Sequence, residues 1–347
     1  MKKKLFVWAS DISDISGEGV LCRSFLYSFK DLYKQIITIK TFENFLNLKL
    51  KNLKKTKKVF FKNSIYHKYI GPFFGVFYSW KYYLNDYKVL YVNYLPLWNF
   101  LIFLLLPPKT SLGPITGANY FGKINGLSQF IRVYIFPILF FISSIIIRLR
   151  YKKIIFSTSL LKKYFPDKKN IFFNFVLTLI KQNHYQNRRK KYDVIYYYRK
   201  HPTKNNLKLL NILQILKNKN YKICIVGDKI KNYNFIEKGY VTKQNIIKLI
   251  NQSNIAIGSS ENLYNLFVIE AINSGLHVIY DRKLTNYKSN LKLKQMISLN
   301  FNSKKDSIKK IENILKKKNK IKLKDFDKKF LEKLQNKFSK FLKDYLI

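Results

Sequence analysis

Acidic side chains are scarce in this chain: 19 Asp and Glu stand against 66 Lys and Arg, a formal charge of +47 over 347 residues. Cysteine is scarcer still. Cys22 and Cys224 lie far apart with no CxxC pair, which excludes a disulfide framework and a cysteine-based zinc site and fits a reducing compartment. The start, MKKKLFVWAS, has only a short apolar stretch before Asp11 and Asp14, not the roughly 7–15 apolar residues of a secretory signal. Leu5–Ala9 reads instead as the first strand of a cytoplasmic protein. No internal repeat with a period of about 20–50 residues is visible. The cations are spread along the whole chain, without an RNP-like, helix-turn-helix or zinc-finger signature.

Apolar and aromatic residues, by contrast, are plentiful. Hydrophobic residues make up 47% and aromatics 17%, with 26 Tyr and 29 Phe, which rules out a disordered chain and supplies a core of ordinary size. At ~150 residues per domain the length favours two domains. The enriched residues Lys, Asn, Ile, Phe and Tyr have codons rich in A and T, so part of the charge reflects genome composition. The resulting surface still favours anionic partners, phosphates and acidic lipid headgroups among them.

Short β-rich runs alternate with helical periods. Strands are expected at 5–9, 36–39, 89–93, 111–115 and 154–157, then at 194–198, 223–227, 255–259 and 277–281. Helices are expected around 20–34, 96–106, 127–149 and 159–165, then 205–218, 242–252, 265–274, 305–317 and 325–345. Such alternation predicts right-handed βαβ units: an α/β protein with two Rossmann-like lobes whose parallel sheets face each other across a cleft. The polar, basic stretch 181–191 reads as the linker, giving lobes 1–180 and 192–324 and a closing helix 325–347.

Two first-lobe segments are unusually apolar. One is 95–108, with Leu-Ile-Phe-Leu-Leu-Leu at its centre; the other is 133–147, VYIFPILFFISSIII, closed by Arg148, Arg150, Lys152 and Lys153. Neither reaches the ~20 apolar residues of a membrane span, and Pro137 interrupts the second. Two readings stand side by side: buried core helices, or a helix lying in a membrane interface with its basic residues on headgroups.

The chemistry is concentrated in the second lobe. Residues 196–204 read Tyr-Tyr-Tyr-Arg-Lys-His-Pro-Thr-Lys, a strand that ends on Arg199 with Lys204 shortly after. Open α/β sheets bind ligands at that edge, and a forked guanidinium with a mobile ammonium suits a diphosphate. In so lysine-rich a chain, two cations at any spacing carry little weight alone. Next comes the apolar strand 223–227 running into Gly227, then Glu237-Lys-Gly239-Tyr240-Val241, with Thr242 placed to cap the following helix. These glycines serve either a close approach of a base or ribose or plain turns. Last is Asn254-Ile-Ala-Ile-Gly-Ser-Ser-Glu-Asn-Leu-Tyr-Asn-Leu-Phe-Val-Ile-Glu-Ala-Ile-Asn-Ser-Gly275: strand, polar turn, helix and glycine stop. Its helix start offers N–H groups to an anion. Glu270 lies in an otherwise apolar helix, where it needs hydrogen-bond donors or a solvent-facing position.

This order of motifs over 192–282 resembles the retaining GT-B glycosyltransferases of family 4. In the first lobe, Gly17-Glu18-Gly19 resembles that family's glycine-rich loop, and Leu112-Gly-Pro-Ile-Thr-Gly117 its Gly-Pro-x-x-Gly loop. The resemblance implies that 1–180 binds the acceptor and 192–324 the nucleotide-sugar. Arg199 and Lys204 would hold the leaving diphosphate, and Glu270 the ribose. The turn and helix start, with Ser260, Glu261, Asn262, Asn265 and Leu266, would face sugar and phosphate. Gly227 and Tyr240 would lie on the donor, Gly17, Gly19, Asn93 and Gly117 on the first-lobe side, and 325–345 would brace the first lobe. Two features depart from the family pattern. Glu261 and Glu270 are separated by eight residues rather than seven, which puts Asn262 in the first glutamate's register. The stretch Tyr91-Val-Asn93-Tyr-Leu-Pro has asparagine where members usually carry histidine.

No DxD pair accompanies these strand-end motifs to hold magnesium, and Asp11 and Asp14 read as turn residues. The resemblance therefore implies a transfer without metal or cofactor, in which the cations and the helix start carry the positive field and the leaving phosphate takes the acceptor's proton. The donor is expected to be a UDP- or GDP-sugar. The acceptor is expected to be a saccharide or lipid-linked saccharide in cell-surface polysaccharide synthesis, on the cytoplasmic side with peripheral contact to an anionic membrane. Two alternatives remain: a nucleic-acid-binding protein, suggested by charge and interleaved aromatics, and a catalytically weak glycosyltransferase-like scaffold.

Overall fold

The computed structural model describes residues 4–28, 37–41, 53–59, 67–93, 95–117, 126–151, 153–166, 170–181, 189–200, 207–258, 263–282, 293, 295–317 and 325–345. The chain divides into two compact units. The first holds Met1–Ala118, Lys123–Phe175 and Asn336–Ile347; the second holds Asn119–Gly122 and Val176–Gln335.

The first unit runs β1 (Leu5–Ala9), α1 (Gly17–Ser28), β2 (Ile37–Thr41), β3 (Leu53–Lys58), α2 (His67–Tyr83), β4 (Lys88–Asn93), α3 (Phe100–Leu105) and β5 (Ser111–Ile115). It continues with α4 (Leu127–Phe130), a π-helical turn Ile131–Ile135, α5 (Phe136–Arg150), β6 (Ile154–Phe156) and β7 (Ile171–Phe172). Its seven strands are all parallel, in the order β3-β2-β1-β4-β5-β6-β7. β1 is buried at every residue, the pattern of a central strand with helices on both faces. Phe6, Trp8 and Tyr91 anchor that core.

The second unit repeats the plan with β8 (Tyr192–Tyr198), α6 (Leu207–Asn218), β9 (Ile223–Gly227), β10 (Ile236–Glu237), α7 (Lys243–Asn251), β11 (Ser253–Ile257), α8 (Leu266–Asn273), β12 (His277–Asp281), β13 (Met296–Leu299) and α9 (Lys304–Lys317). Six parallel strands follow the order β10-β9-β8-β11-β12-β13. α6 buries Leu209, Leu210, Ile212, Leu213 and Leu216, one helical face, against them. The protein is thus α/β with two parallel sheets. Both orders reverse direction beside the first strand of the unit, between β1 and β4 and between β8 and β11. In open α/β sheets that reversal leaves a crevice outside the strands' carboxyl ends.

The last helix, α10 (Asp325–Tyr345), contributes its final turns to the first unit. Phe338 packs on Phe172 and Phe175, and Tyr345 donates its hydroxyl to Leu112 O while its own carbonyl accepts from Ser111 Oγ at 3.1 Å.

Several elements differ from the sequence reading. β3, written LKKTKK, was not expected from sequence and is the sheet's edge strand. α2 was expected nowhere, because Gly71, Pro72 and Gly75 interrupt its pattern. Gly75 is what lets it form: a Cβ there would strike the rings of Trp8 and Tyr91, so only a bare Cα lets the helix settle on the sheet. The short strands β7, β10 and β13 are also additions to the reading. Gly17 and Gly19 begin α1 rather than forming a separate loop, and β11 starts and ends two residues earlier than 255–259. Pro137, expected to interrupt 133–147, stands in the first turn of α5, where a missing N–H costs least. Helical backbone therefore runs unbroken over Ile131–Arg150, 20 residues long and apolar enough, by length and composition, to cross a membrane.

Candidate functional site

The second unit's reversal point lies between β8 and β11, with β9 on the other side of β8. β8 and β9 pair in register as far as Tyr198 and Gly227. Gly227 has φ +108°, and a Cβ there would collide with Tyr198 O. The glycine therefore serves a close approach between backbones. Its N–H donates to Gly239 O at 2.9 Å, tying the β9 end to the stretch that leads into α7.

Past this point the chain turns polar. Asp228 N–H donates to Tyr198 O (3.1 Å), and the Asp228 carboxylate accepts from Lys200 N–H (2.6 Å) and the Tyr240 hydroxyl (2.7 Å). Burial pulls the Asp228 carboxyl upward. The bonds from Tyr240 and Lys200, with the charges of Arg199 and Lys200, outweigh it and leave the group below its ordinary value. Tyr240 is pushed up to about 12, first by its bond to that carboxylate. One carboxylate thus holds the backbone just past β8, at Lys200, and Arg199 stands exposed at that strand's end. Asp228 was not singled out from sequence. Its signal was its place one residue after a glycine-terminated strand.

Around α7 and α8, two caps are in place. Thr242 accepts from Asn245 N–H at 3.4 Å and Asn265 from Val268 N–H at 2.9 Å. Asn265 thus meets one of α8's free N–H groups from within the chain. Glu270, on α8, pairs with Lys243 Nζ at 3.0 Å, the two side chains being 17% and 37% exposed. The apolar setting of Glu270 demanded a partner, and the first residue of α7 supplies one. Lys243 was missed because nothing in sequence places α7 beside α8. Lys204, Ser260, Glu261 and Asn262 lie outside the described residues.

In the first unit, Asn93 lies at the reversal point between β1 and β4, 4% exposed. Its Nδ2 donates to Asp11 O (2.6 Å) and Glu18 O (3.4 Å), and its Oδ1 accepts from Asp11 N–H (3.3 Å) and Ser10 Oγ (3.4 Å). Its side chain is spent on holding the turn between β1 and α1. Asp11 serves the same turn, accepting from Ser13 N–H at 2.9 Å and from Ser16 Oγ. Gly19 is needed there, since a Cβ would meet Ser13 backbone and Asp11 Oδ1; Gly17 has nothing near it. At Gly117 a Cβ would meet only the Leu161 side chain.

Cys22 and Cys224 are both free and buried. Burial first, then the charges of Asp11 and Glu18, raises the Cys22 thiol, and burial brings Cys224 up to about 11. Neither is poised as a nucleophile.

Two parallel sheets of one plan match the GT-B fold, which the structural comparisons bear out. Solved structures carry the same fold. Sucrose-phosphate synthase from Thermosynechococcus elongatus aligns with TM-score 0.60 and 11% identity, over 99% of this chain and 94% of that one. Anabaena HepE, in complex with UDP and glucose, aligns with TM-score 0.55 and 10% identity, over 98% and 99%. A glycosyltransferase from Rickettsia africae aligns with TM-score 0.51 and 12% identity, over 100% and 95%. Neither the family models nor the curated protein sequences compared with the chain gave a match.

Proposed function

We propose that the chain is a retaining glycosyltransferase of the family 4 type, moving a sugar from a UDP- or GDP-sugar to a saccharide or lipid-linked saccharide acceptor. The observation that carries this reading is the place of Arg199: an exposed guanidinium next to Lys200, whose N–H Asp228 holds, at the carboxyl end of the strand where the second sheet reverses. A leaving nucleoside diphosphate needs positive charge that strengthens as its bond to the sugar breaks. Arg199 supplies a forked donor to two phosphate oxygens, and Lys204, five residues on, supplies the second cation. With charge provided by these side chains, the transfer runs without metal, and the departing phosphate oxygen takes the acceptor's proton. HepE, solved with UDP and glucose, supports the choice of donor.

Glu270 receives the ribose hydroxyls, its carboxylate held by Lys243 Nζ at 3.0 Å. Such a product fits the building of cell-surface polysaccharide, with the enzyme on the cytoplasmic side.

A thermal-shift panel of nucleoside diphosphates and their sugars tests the donor, since a ligand at 100 times its Kd stabilises by ~2.7 kcal/mol. UDP or GDP should raise the melting temperature, and release of UDP or GDP from the matching sugar donor should accompany transfer. Stabilisation without any transfer would identify a scaffold; no stabilisation by any of them would remove the reading.

A further inference from the structure

Exposed apolar side chains gather on one flank of the first unit. Of the twenty large hydrophobic residues found exposed among the described ones, fifteen lie on α2, α3, α4, α5, the π turn or the residue after α2. Monomeric soluble proteins scatter such residues singly; gathered ones mark an interaction surface.

The helices lie side by side. Trp80 of α2 donates its indole N–H to Leu105 O of α3 at 2.7 Å. Ser143 of α5 donates to Leu97 O just before α3, and Tyr151 and Arg150 donate to Phe103 O and Leu106 O. Each helix keeps an apolar stripe in the open. On the longest, Tyr134, Ile138, Phe141, Ile145 and Leu149 recur at helical spacing, with Ile138 61% and Leu149 82% exposed. On α3 the stripe is Leu101, Leu104 and Leu105.

The opposite side of α5 is committed inward through Phe140, Ser143, Ser144 and Ile147. A helix packed along one side on its own protein cannot be ringed by lipid, although Ile131–Arg150 has the length to cross a bilayer. Its open side has the character of a helix lying in the plane of an interface.

Charge selects the occupant. Residues 67–156, which hold these helices, contain ten Lys and Arg and a single acid, Asp86. Arg148, Lys81 and Lys109 are exposed beside the stripes or at their ends. A second copy would bring another +47 against this one. An anionic bilayer offers acyl chains to the stripes and negative headgroups to their basic borders. We infer that this flank, formed by α2, α3 and α5, seats the protein in the headgroup region of an anionic membrane, without crossing it.

Flotation of the full chain with vesicles of phosphatidylcholine, alone or with roughly one phosphatidylglycerol in three, tests this. So basic a protein adheres to anionic vesicles by charge alone, so the decisive comparison is made at about 0.5 M salt, where exposed charges are screened. The variant carrying Ile138→Ser and Phe141→Ser leaves the charge unchanged. Wild type should stay on anionic vesicles at high salt, and the double variant should lose about thirtyfold in partitioning, the burial of two half-exposed side chains. Leu149→Ser, at a position too open to affect folding, should lose a smaller factor in the same direction.

Wild type left in solution with both vesicles would overturn the inference. So would variants that partition as wild type does, or a wild-type dimer that the variants dissociate without any vesicle effect. The outcome does not depend on donor binding, which the nucleotide panel reads separately.

Discussion

The two units share one strand plan, yet their equivalent reversal points are opposite in character. Between β1 and β4, Asn93 is 4% exposed and gives its side chain to four local bonds. At the end of β8, the strand beside the reversal to β11, Arg199 is exposed, and the Asp228 carboxylate holds Lys200 N–H and the exposed Tyr240 hydroxyl. The units divide the same way in apolar exposure: the first carries the stripes of α2, α3 and α5, while the second exposes only Leu207, Ile236 and Tyr240 among its described large hydrophobics. A fold sets where a crevice falls; the side chains at the strand ends decide whether it is a structural joint or a ligand site.

Arg199→Ala should break the contrast most. If the second unit's edge is the chemical one, turnover falls by about two to three orders of magnitude, as when a charge-stabilising donor is removed, while the thermal midpoint holds. Unchanged turnover would make both edges structural. Gly227→Val comes next. A side chain at φ +108° that also strikes Tyr198 O should cost about 3 kcal/mol of stability in denaturant unfolding.

Asn93→Ala should cost about 2 kcal/mol, because the partly buried Asp11 and Glu18 backbone groups lose a partner. Donor-induced stabilisation should be untouched; its loss would move Asn93 from joint to site. The smallest effect belongs to Tyr240→Phe. Without the phenol's hydrogen bond the Asp228 carboxyl should titrate higher, readable as a carboxyl shift by NMR. The native tyrosine, raised above its unfolded value of ~10, contributes stability below that pH and loses it as pH rises toward about 12. That alkaline step should be absent in the variant. The depressed carboxyl of Asp228 works in the other direction, its contribution present above the ordinary carboxylate value and lost on acidification.

Much of the fold was legible. Strands 5–9, 111–115, 223–227 and 277–281 have the bounds read from sequence, because a buried parallel strand is a continuous apolar run between turn residues. α10 is also as read, from its long amphipathic period. What escaped depended on neighbours far away in sequence. β3 has the composition of a solvated loop and is a strand because β2 offers it an edge. α2 contains two glycines and a proline, and only the rings beneath it show why one glycine is required. At the candidate site, Arg199 and Gly227 were recognisable at strand ends and Tyr240 in the stretch before a helix. The Lys243–Glu270 pair was not, since it links the start of one helix to the middle of the next.

Local pattern alone settled that strands and helices alternate, hence that the sheets are parallel; periodicity and turn residues act over a few positions and survive without the rest of the chain. Only the tertiary structure decided which candidates face outward. Burial closed Asn93 into a joint, gave Glu270 a lysine and left one side of α5 uncovered. Exposure belongs to the packed whole, and no short stretch of sequence carries it.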